Sequence, residues 1–155
     1  MTDEKELEKE GEIAADFIEE FLDLADLDGD LEIEFRQERV YLTVSADGES
    51  NLGKVSNPET VEALQEITRL AVQAKTGEMS RLILDVGGSR AAKTEQLKKL
   101  VEKTIKKLEE TDKEQHLKPM TSYDRKQVHD MVAEAAMVSE SEGQGRDRHI
   151  VIRKP

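Results

Sequence analysis

The chain has 155 residues, with 23 basic and 35 acidic side chains and a net charge of −12. This length fits one domain or two small ones, and the charged fraction of 37% is well above the roughly 25% of ordinary globular domains, so any hydrophobic core is thin. The chain has no cysteine and no apolar run of roughly 18 residues, which excludes disulfide frameworks, thiolate zinc sites and a membrane-spanning helix.

The acidic charge is concentrated in the first part of the chain. Residues 1–60 carry 19 acidic and 5 basic side chains, a balance of −14, whereas residues 61–155 carry 16 acidic and 18 basic side chains, a balance of +2. The overall charge therefore does not exclude a nucleic-acid partner for the second part. The acidic N-terminus is also unlike a signal peptide, and we expect a soluble cytoplasmic protein without membrane insertion.

The first predicted element follows an acidic leader. Residues 1–11 are mostly Asp, Glu and Lys, and we predict that they are disordered because they bury too little apolar surface to offset the entropy of ordering. Apolar residues then recur at helical spacing from Ile13 to Leu22, which predicts a helix. This helix should end near Asp28-Gly29-Asp30, where glycine and short acidic residues favour a turn.

A hairpin, a helix and a third strand are predicted next. Residues 31–35 and 40–44 alternate apolar and polar side chains or are rich in β-branched residues, which indicates two antiparallel strands. After a loop, Thr60 caps or opens a helix whose predicted inward side chains are Val61, Leu64, Ile67, Leu70, Ala71 and Ala74. Residues 81–86 form the third strand, so the order is helix, two strands, helix, strand.

The second part of the chain is predicted as a long linking helix and a small α/β unit. Residues 91–110 form the helix, and a further helix follows Thr121. Residues 139–148 are predicted as a flexible loop with hydroxyl and arginine side chains, and residues 149–153 as a terminal strand. The predicted fold class is therefore α+β.

Catalytic and metal sites find little support in the residue spacing. Asp26 starts a calcium-like run, but the glycine of a calcium loop is misplaced and its last carboxylate is missing, because Gln37 stands there. The chain lacks a Gly-x-Ser-x-Gly elbow, and neither His116 nor His129 has a His or Cys neighbour at metal-ligand spacing. We therefore predict no enzyme, no cofactor and no metal.

Arg125 and His129 form the most distinctive pair. They lie four residues apart on a predicted helix and so share one face. The guanidinium of Arg125 can bind a phosphate bidentately, and the ring of His129 can add a hydrogen bond or a stacking plane. Spacing alone, however, favours an ordinary surface pair.

Several motifs together resemble one bacterial family. The first is Arg-x-x-x-His, which follows Tyr123, and the second is Ser-Glu-Gly-x-Gly-Arg-Asp-Arg-x-Ile-Val-Ile near the C-terminus. Residues 60–77 read Thr-Val-Glu-Ala-Leu-Gln … Lys-Thr-Gly. Residues 81–90 read Arg-Leu-Ile-Leu-Asp-Val-Gly-Gly-Ser-Arg. Over roughly residues 12–155 the chain resembles the Jag, or KhpB, family. The resemblance implies a KH domain, a three-stranded sheet with helices, over residues 12–88. It also implies an Arg-x-x-x-His domain, written R-3-H, over residues 89–155.

The family resemblance implies binding of single-stranded RNA in the bacterial cytoplasm and a link to cell elongation and envelope homeostasis. It also implies a small single-KH protein, KhpA, as a partner; single-stranded DNA as a ligand and a homodimer remain open. The residues expected to bind nucleic acid are Arg125, His129, Tyr123, Lys126, Arg146, Arg148 and Arg153.

The predicted KH domain departs from the family at its phosphate-binding loop. KH domains clamp the nucleic-acid backbone with a Gly-x-x-Gly loop, and the aligned positions here are Val55-Ser56-Asn57-Pro58, preceded by Gly53-Lys54. Both glycines are replaced, and Pro58 also removes a backbone donor. We therefore expect the KH unit to bind RNA weakly or not at all. The rival hypothesis is a protein-interaction adaptor.

Overall fold

The structure, a computed structural model, describes residues 3–155. They form two compact units that divide between Ala92 and Lys93. The first unit contains α1 (Glu4–Leu24), β1 (Asp30–Arg36), β2 (Arg39–Ser45), a 3₁₀ helix (Leu52–Val55), α2 (Pro58–Thr76) and β3 (Ile83–Val86). The second contains most of α3 (Ser89–Thr111), then β4 (Gln115–His116), α4 (Ser122–Glu134), β5 (Val138–Glu142), a 3₁₀ helix (Gly145–Asp147) and β6 (His149–Arg153). The predicted α+β class is confirmed.

The sheet of the first unit has the strand order β1-β2-β3. The predicted antiparallel hairpin is confirmed: Leu31 pairs with Val44, and the two-residue turn at Gln37 and Glu38 has positive φ angles of 51° and 59°. Such a turn matches the twist of the two strands. β3 runs parallel to β2. α1 and α2 contribute Ile18 and other apolar side chains to a core shared with β2 and β3.

The prediction of a disordered leader is wrong for residues 4–11, which form the first turns of α1, while Met1 and Thr2 lie outside the described residues. Asp3 caps this helix by accepting a hydrogen bond from the backbone N–H of Lys5. Leu7 and Gly11 are buried in line with Ala14, and a side chain at Gly11 would meet Ile33 and Phe35 at 3.3 Å. The leader is ordered because β1 covers it, a tertiary contact that local composition does not reveal.

The predicted buried face of α2 is partly wrong. Val61 and Leu64 are buried as expected, but Thr68 and Val72 continue the buried stripe. Ile67 and Leu70 instead lie 53% and 58% exposed. Thr68 fits the core because its hydroxyl donates to the carbonyl of Leu64 at 2.7 Å, which satisfies the polar group within the helix.

The second unit is a three-stranded antiparallel sheet with the order β4-β6-β5. Ile150 and Ile152 of β6 pack with buried side chains of α3 and α4, including Leu108 and Val128. Side chains alternate across a sheet, so the neighbours of these two isoleucines on β6 point to the opposite face. One face of the sheet is therefore packed against helices and the other carries mainly polar residues.

The flexible loop predicted over residues 139–148 is partly wrong, because residues 138–142 form β5. Ser139 pairs with Ile152, and Ser141 pairs with Ile150. These polar residues enter a strand because β6 offers a partner edge and because their hydroxyls find hydrogen-bond partners. Within residues 3–155, no helix combines the length and apolarity that a bilayer crossing requires.

Candidate nucleic-acid interface

The helix α4 begins at a side-chain cap that orients the Arg-x-x-x-His pair. The hydroxyl of Thr121 accepts a hydrogen bond from the backbone N–H of Asp124 at 3.2 Å. The backbone N–H of Arg125 donates to the carbonyl of Thr121 at 2.9 Å, which closes the first helical turn. One turn later His129 faces the same side of the helix as Arg125.

Arg125 is held at one edge of its guanidinium and available at the other. Its Nη1 donates to the carbonyl of Met120 at 2.7 Å, which ties the side chain to the segment before α4. Among residues 3–155 its Nε and Nη2 have no protein acceptor. A guanidinium fixed in this way loses less side-chain entropy when its remaining donors bind a phosphate.

His129 is fixed by two serines of β5. Its Nδ1 lies 2.7 Å from the hydroxyl of Ser139, and its Nε2 lies 2.9 Å from the hydroxyl of Ser141. Sequence reasoning missed this pair because it placed both serines in a loop; their alternation after Val138 was the available signal for a strand. Since both ring nitrogens are occupied, a ligand meets the face of the ring or the serine hydroxyls.

The environment of His129 favours its neutral form. Burial lowers the pKa of the imidazole below its usual value, the nearby Arg125 lowers it further, Asp130 raises it and Arg148 lowers it. The positive charges of Arg125 and Arg148 thus both act on this ring electrostatically.

The pH dependence of stability should report this environment. Because the folded state holds the pKa of His129 below its unfolded value, the unfolded chain takes up a proton first, and stability is lost as the pH falls below about 6.5. Between about pH 7.5 and 5.5, we expect the melting temperature of the His129→Gln variant to fall less than that of the wild type. Lys126→Gln, on the same helix, is the control. Parallel pH profiles for His129→Gln and the wild type would contradict the prediction.

The other predicted binding residues lie at varied distances from this pair. Arg148 donates through Nη1 to the carbonyl of Gly143 at 2.9 Å, which shapes the turn before β6. Lys126 is exposed and lies 3.4 Å from Asp130 in an i,i+4 ion pair. Tyr123 is half-buried at the start of α4, and Arg146 is exposed in the 3₁₀ helix that precedes β6.

Arg153 does not join this surface. In the register of β5 and β6 it pairs with Val138, whereas Ser139 pairs with Ile152, so Arg153 points to the opposite face of the sheet from the serines that hold His129. Its Nη2 lies 3.2 Å from a carboxylate oxygen of Glu140 and 3.7 Å from one of Glu142. The sheet thus separates Arg153 from the Arg125–His129 surface.

The loop predicted to correspond to the KH phosphate clamp makes hydrogen bonds within itself. Residues 52–55 form a 3₁₀ helix, and the hydroxyl of Ser56 donates to the carbonyl of Leu52 at 2.7 Å. Asn57 caps α2 by accepting from the N–H of Thr60 at 2.9 Å, and Pro58 is the first helical residue. The side chain of Asn57 thereby occupies the helix N-terminus that a phosphate would approach.

Restoring glycine at Val55 and Pro58 is therefore expected to change RNA affinity by less than about threefold. Asn57 would still cap α2, and Asp28 remains close because its N–H donates to Asn51 beside the loop at 2.9 Å. The measurement is fluorescence anisotropy with a labelled short RNA. A gain of about tenfold would show that the loop residues alone had disabled this site.

Comparison with known proteins matches a family model to the second unit and curated relatives to larger parts of the chain. The sequence model of the R-3-H domain matches residues 95–154. A protein of Clostridium symbiosum named "RNA-binding protein KhpB" is 25% identical over 143 residues, which cover 90% of this chain and 64% of that protein. Proteins of the same name from Bacillus subtilis (strain 168) and Lactiplantibacillus plantarum are 32% identical over 97 residues and 30% identical over 132 residues.

The two latter alignments cover 61% and 81% of this chain but only 47% and 39% of the relatives. The chain therefore spans less than two thirds of the length of each of these curated relatives.

Proposed function

The chain belongs to the KhpB (Jag) family and carries an R-3-H domain over residues 95–154, and on this premise we propose that it binds single-stranded nucleic acid, RNA in the first place, without catalysing a reaction. The relatives are named for RNA binding. The matched region includes Arg125, His129 and Arg148. The proposal locates the binding surface on these residues.

The observation that carries the proposal is the state of Arg125. Its guanidinium is oriented by the carbonyl of Met120, while its Nε and Nη2 have no acceptor among residues 3–155. Arg148 also lowers the pKa of this imidazole, so two cationic groups act electrostatically on the ring. A cationic fork beside a flat ring suits a single-stranded backbone with an adjacent stacked base.

His129 has a positioning role in this proposal. Because Ser139 and Ser141 occupy both of its nitrogens, the ring orients the two hydroxyls and offers its face to a base. Its neutral state also avoids adding a further positive charge to those of Arg125 and Arg148. We therefore expect Arg125 and Arg148, and not His129, to contact the phosphates.

A salt titration tests the proposal. Anisotropy of a labelled RNA of about ten nucleotides, measured at several salt concentrations, should give a negative slope of log affinity against log salt of about 0.7 per phosphate contact. The same titration with DNA of equal sequence measures the preference between the two sugars. Absence of salt-dependent binding to both would refute the proposal.

The family resemblance extends the proposal beyond the binding site. We propose from it that the chain acts in the cytoplasm, takes part in post-transcriptional regulation linked to cell elongation and envelope homeostasis, and has a KhpA-like single-KH protein as a partner. We also propose that the first unit is a KH domain. Co-purification of RNA with the chain from a bacterial host, followed by sequencing, would identify the transcripts.

A second candidate function, protein docking through the first unit, is favoured by the exposed apolar stripe of α2. Ile67 and Leu70 are 53% and 58% exposed, and Ala63 and Ala74 lie exposed above and below them. These residues follow helical spacing on one face. Such a stripe suits a homodimer or a KhpA-like partner, with the phosphate loop unused.

Charges introduced into this stripe should abolish self-association. If α2 forms the dimer, Ile67→Glu combined with Leu70→Glu should raise the dimer dissociation constant at least tenfold, because each carboxylate would be desolvated against apolar surface. Sedimentation velocity over a range of concentrations measures this, with Gln73→Glu on the same helix as the control. A dimer that persists in the double variant would show that α2 is not its interface.

A further inference from the structure

The solvent face of the second sheet carries a cluster unrelated to the nucleic-acid surface. The ligand atoms of His116, Glu142 and His149 all lie within 4.8 Å of one another. Glu142 pairs directly with His149 across β5 and β6, and His116 pairs with Val151, which puts it diagonally opposite His149 on the same face. Three strands thus each contribute one donor group.

Hydrogen bonds fix the outer nitrogen of each imidazole. Nδ1 of His149 lies 2.9 Å from the carbonyl oxygen of Asp147, which can only accept, so this nitrogen carries the proton. Nε2 of His116 lies 3.2 Å from a carboxylate oxygen of Glu114 and is protonated for the same reason. In the neutral form of each ring, the inner nitrogens, Nδ1 of His116 and Nε2 of His149, then both carry a lone pair.

These two lone-pair nitrogens face each other at 3.2 Å. In the neutral rings two lone pairs at this distance repel unless a cation, either a proton or a metal ion, lies between them. Zinc bonded to imidazole nitrogens at about 2.0–2.1 Å in a tetrahedron holds them roughly 3.3–3.4 Å apart. The separation in the protein is therefore close to that of a zinc site.

We propose that His116 Nδ1, His149 Nε2 and the carboxylate of Glu142 bind a divalent transition metal, zinc by preference. Two imidazoles and one carboxylate are a zinc donor set, with a fourth position left for water. Asp147 and Glu114 act as the outer acceptors that orient metal-binding histidines. Because His116 and Glu142 are exposed, the ion reaches the site without an opening of the core.

Arg153 is the competing cation at this site. Its Nη2 lies 3.7 Å from Glu142, 3.9 Å from Glu114 and 3.2 Å from Glu140. Glu142 has to turn from this exposed ion pair toward the histidines, which costs little because exposed pairs contribute little. Glu140 keeps Arg153 in place after the metal binds.

The site links β4 to the rest of the sheet. β4 contains only Gln115 and His116 and is held to β6 by a short ladder, so a metal bound to His116 and His149 clamps this segment. The metal site faces away from Ser139 and Ser141, which lie on the helix-covered face. The proposal thus does not depend on the proposed RNA-binding function.

Zinc titration of the full chain without a polyhistidine tag tests the site. Competition with a chromogenic chelator should show one zinc per chain, and zinc should raise the melting temperature. His116→Gln, His149→Gln and Glu142→Gln should each weaken zinc affinity at least about tenfold.

The chain offers a matched control, since it has three histidines in all. His129→Gln removes the histidine of the other face and should keep the zinc affinity within about threefold. Circular dichroism confirms that each variant is folded. The proposal fails if zinc does not saturate at one equivalent, or if the His116 and His149 variants bind zinc like the wild type.

Discussion

Replacing Arg125 with alanine is expected to weaken the binding of a short single-stranded RNA by about ten- to a hundredfold, because a charge-assisted contact contributes about 1.5–3 kcal/mol. The variant should also lower the salt slope by about 0.7, the value for one phosphate on a single strand. Adding His129→Ala should weaken binding further through the lost ring face and the released serine hydroxyls. Anisotropy over a salt series measures affinity and slope together.

Two further variants distinguish loss of the Arg125 contact from a general loss of positive charge. Arg125→Lys keeps the charge but loses the planar fork, so it should restore the salt slope and only part of the affinity. Arg153→Ala removes a cation from the opposite face and should leave RNA affinity within about threefold. An unchanged affinity and slope in the Arg125→Ala, His129→Ala double variant would exclude this surface as the binding site.

Replacing Leu108 with alanine should lower the free energy of unfolding of the second unit by about 3 kcal/mol, because a large buried side chain leaves a cavity. Leu108 is 1% exposed and packs in the core with Val101, Val128 and Ile150. Hydrogen exchange of the Ile150 and Ile152 amides follows this unit directly. RNA binding should weaken when the unit unfolds.

The control is another leucine of the same helix. Leu100 is 36% exposed, so Leu100→Ala should cost less than about 1 kcal/mol. If the two substitutions change hydrogen exchange equally, the packing of α3 against the sheet is not as the structure shows. Leu108→Ala and Leu100→Ala remove the same atoms from α3, so the difference between their free energies of unfolding reports burial alone.

Local sequence was sufficient to predict the elements whose apolar side chains recur with a regular period. The hairpin at residues 31–44, the terminal strand at residues 149–153 and the long helix α3 all follow from alternation or helical spacing, because the side chains themselves define which face is buried. The sequence also placed Arg125 and His129 on one helical face. The charge asymmetry pointed to the second part of the chain as the one suited to nucleic acid.

Tertiary contacts decided the rest. Residues 4–11 look disordered by composition, yet they fold because Gly11 lets α1 approach Ile33 and Phe35. On α2, Thr68 is buried and Ile67 is exposed because tertiary packing decides which face of the helix turns to the core. Thr68 tolerates burial because its hydroxyl donates a hydrogen bond to the carbonyl of Leu64 in the same helix. Intrinsic helix propensity carries no information on the tertiary contacts that decide these two cases.

The sequence by itself showed that the charge of this acidic chain is unevenly divided, and its motifs indicated the family that the comparisons support. Only the tertiary structure showed that one sheet has two chemically different faces. The strand register places Ser139 and Ser141 behind His129 on one face, and brings His116, Glu142 and His149 together on the other. These residues are up to 33 positions apart, and hydrogen-bond pairing between strands, which no local pattern encodes, makes them neighbours.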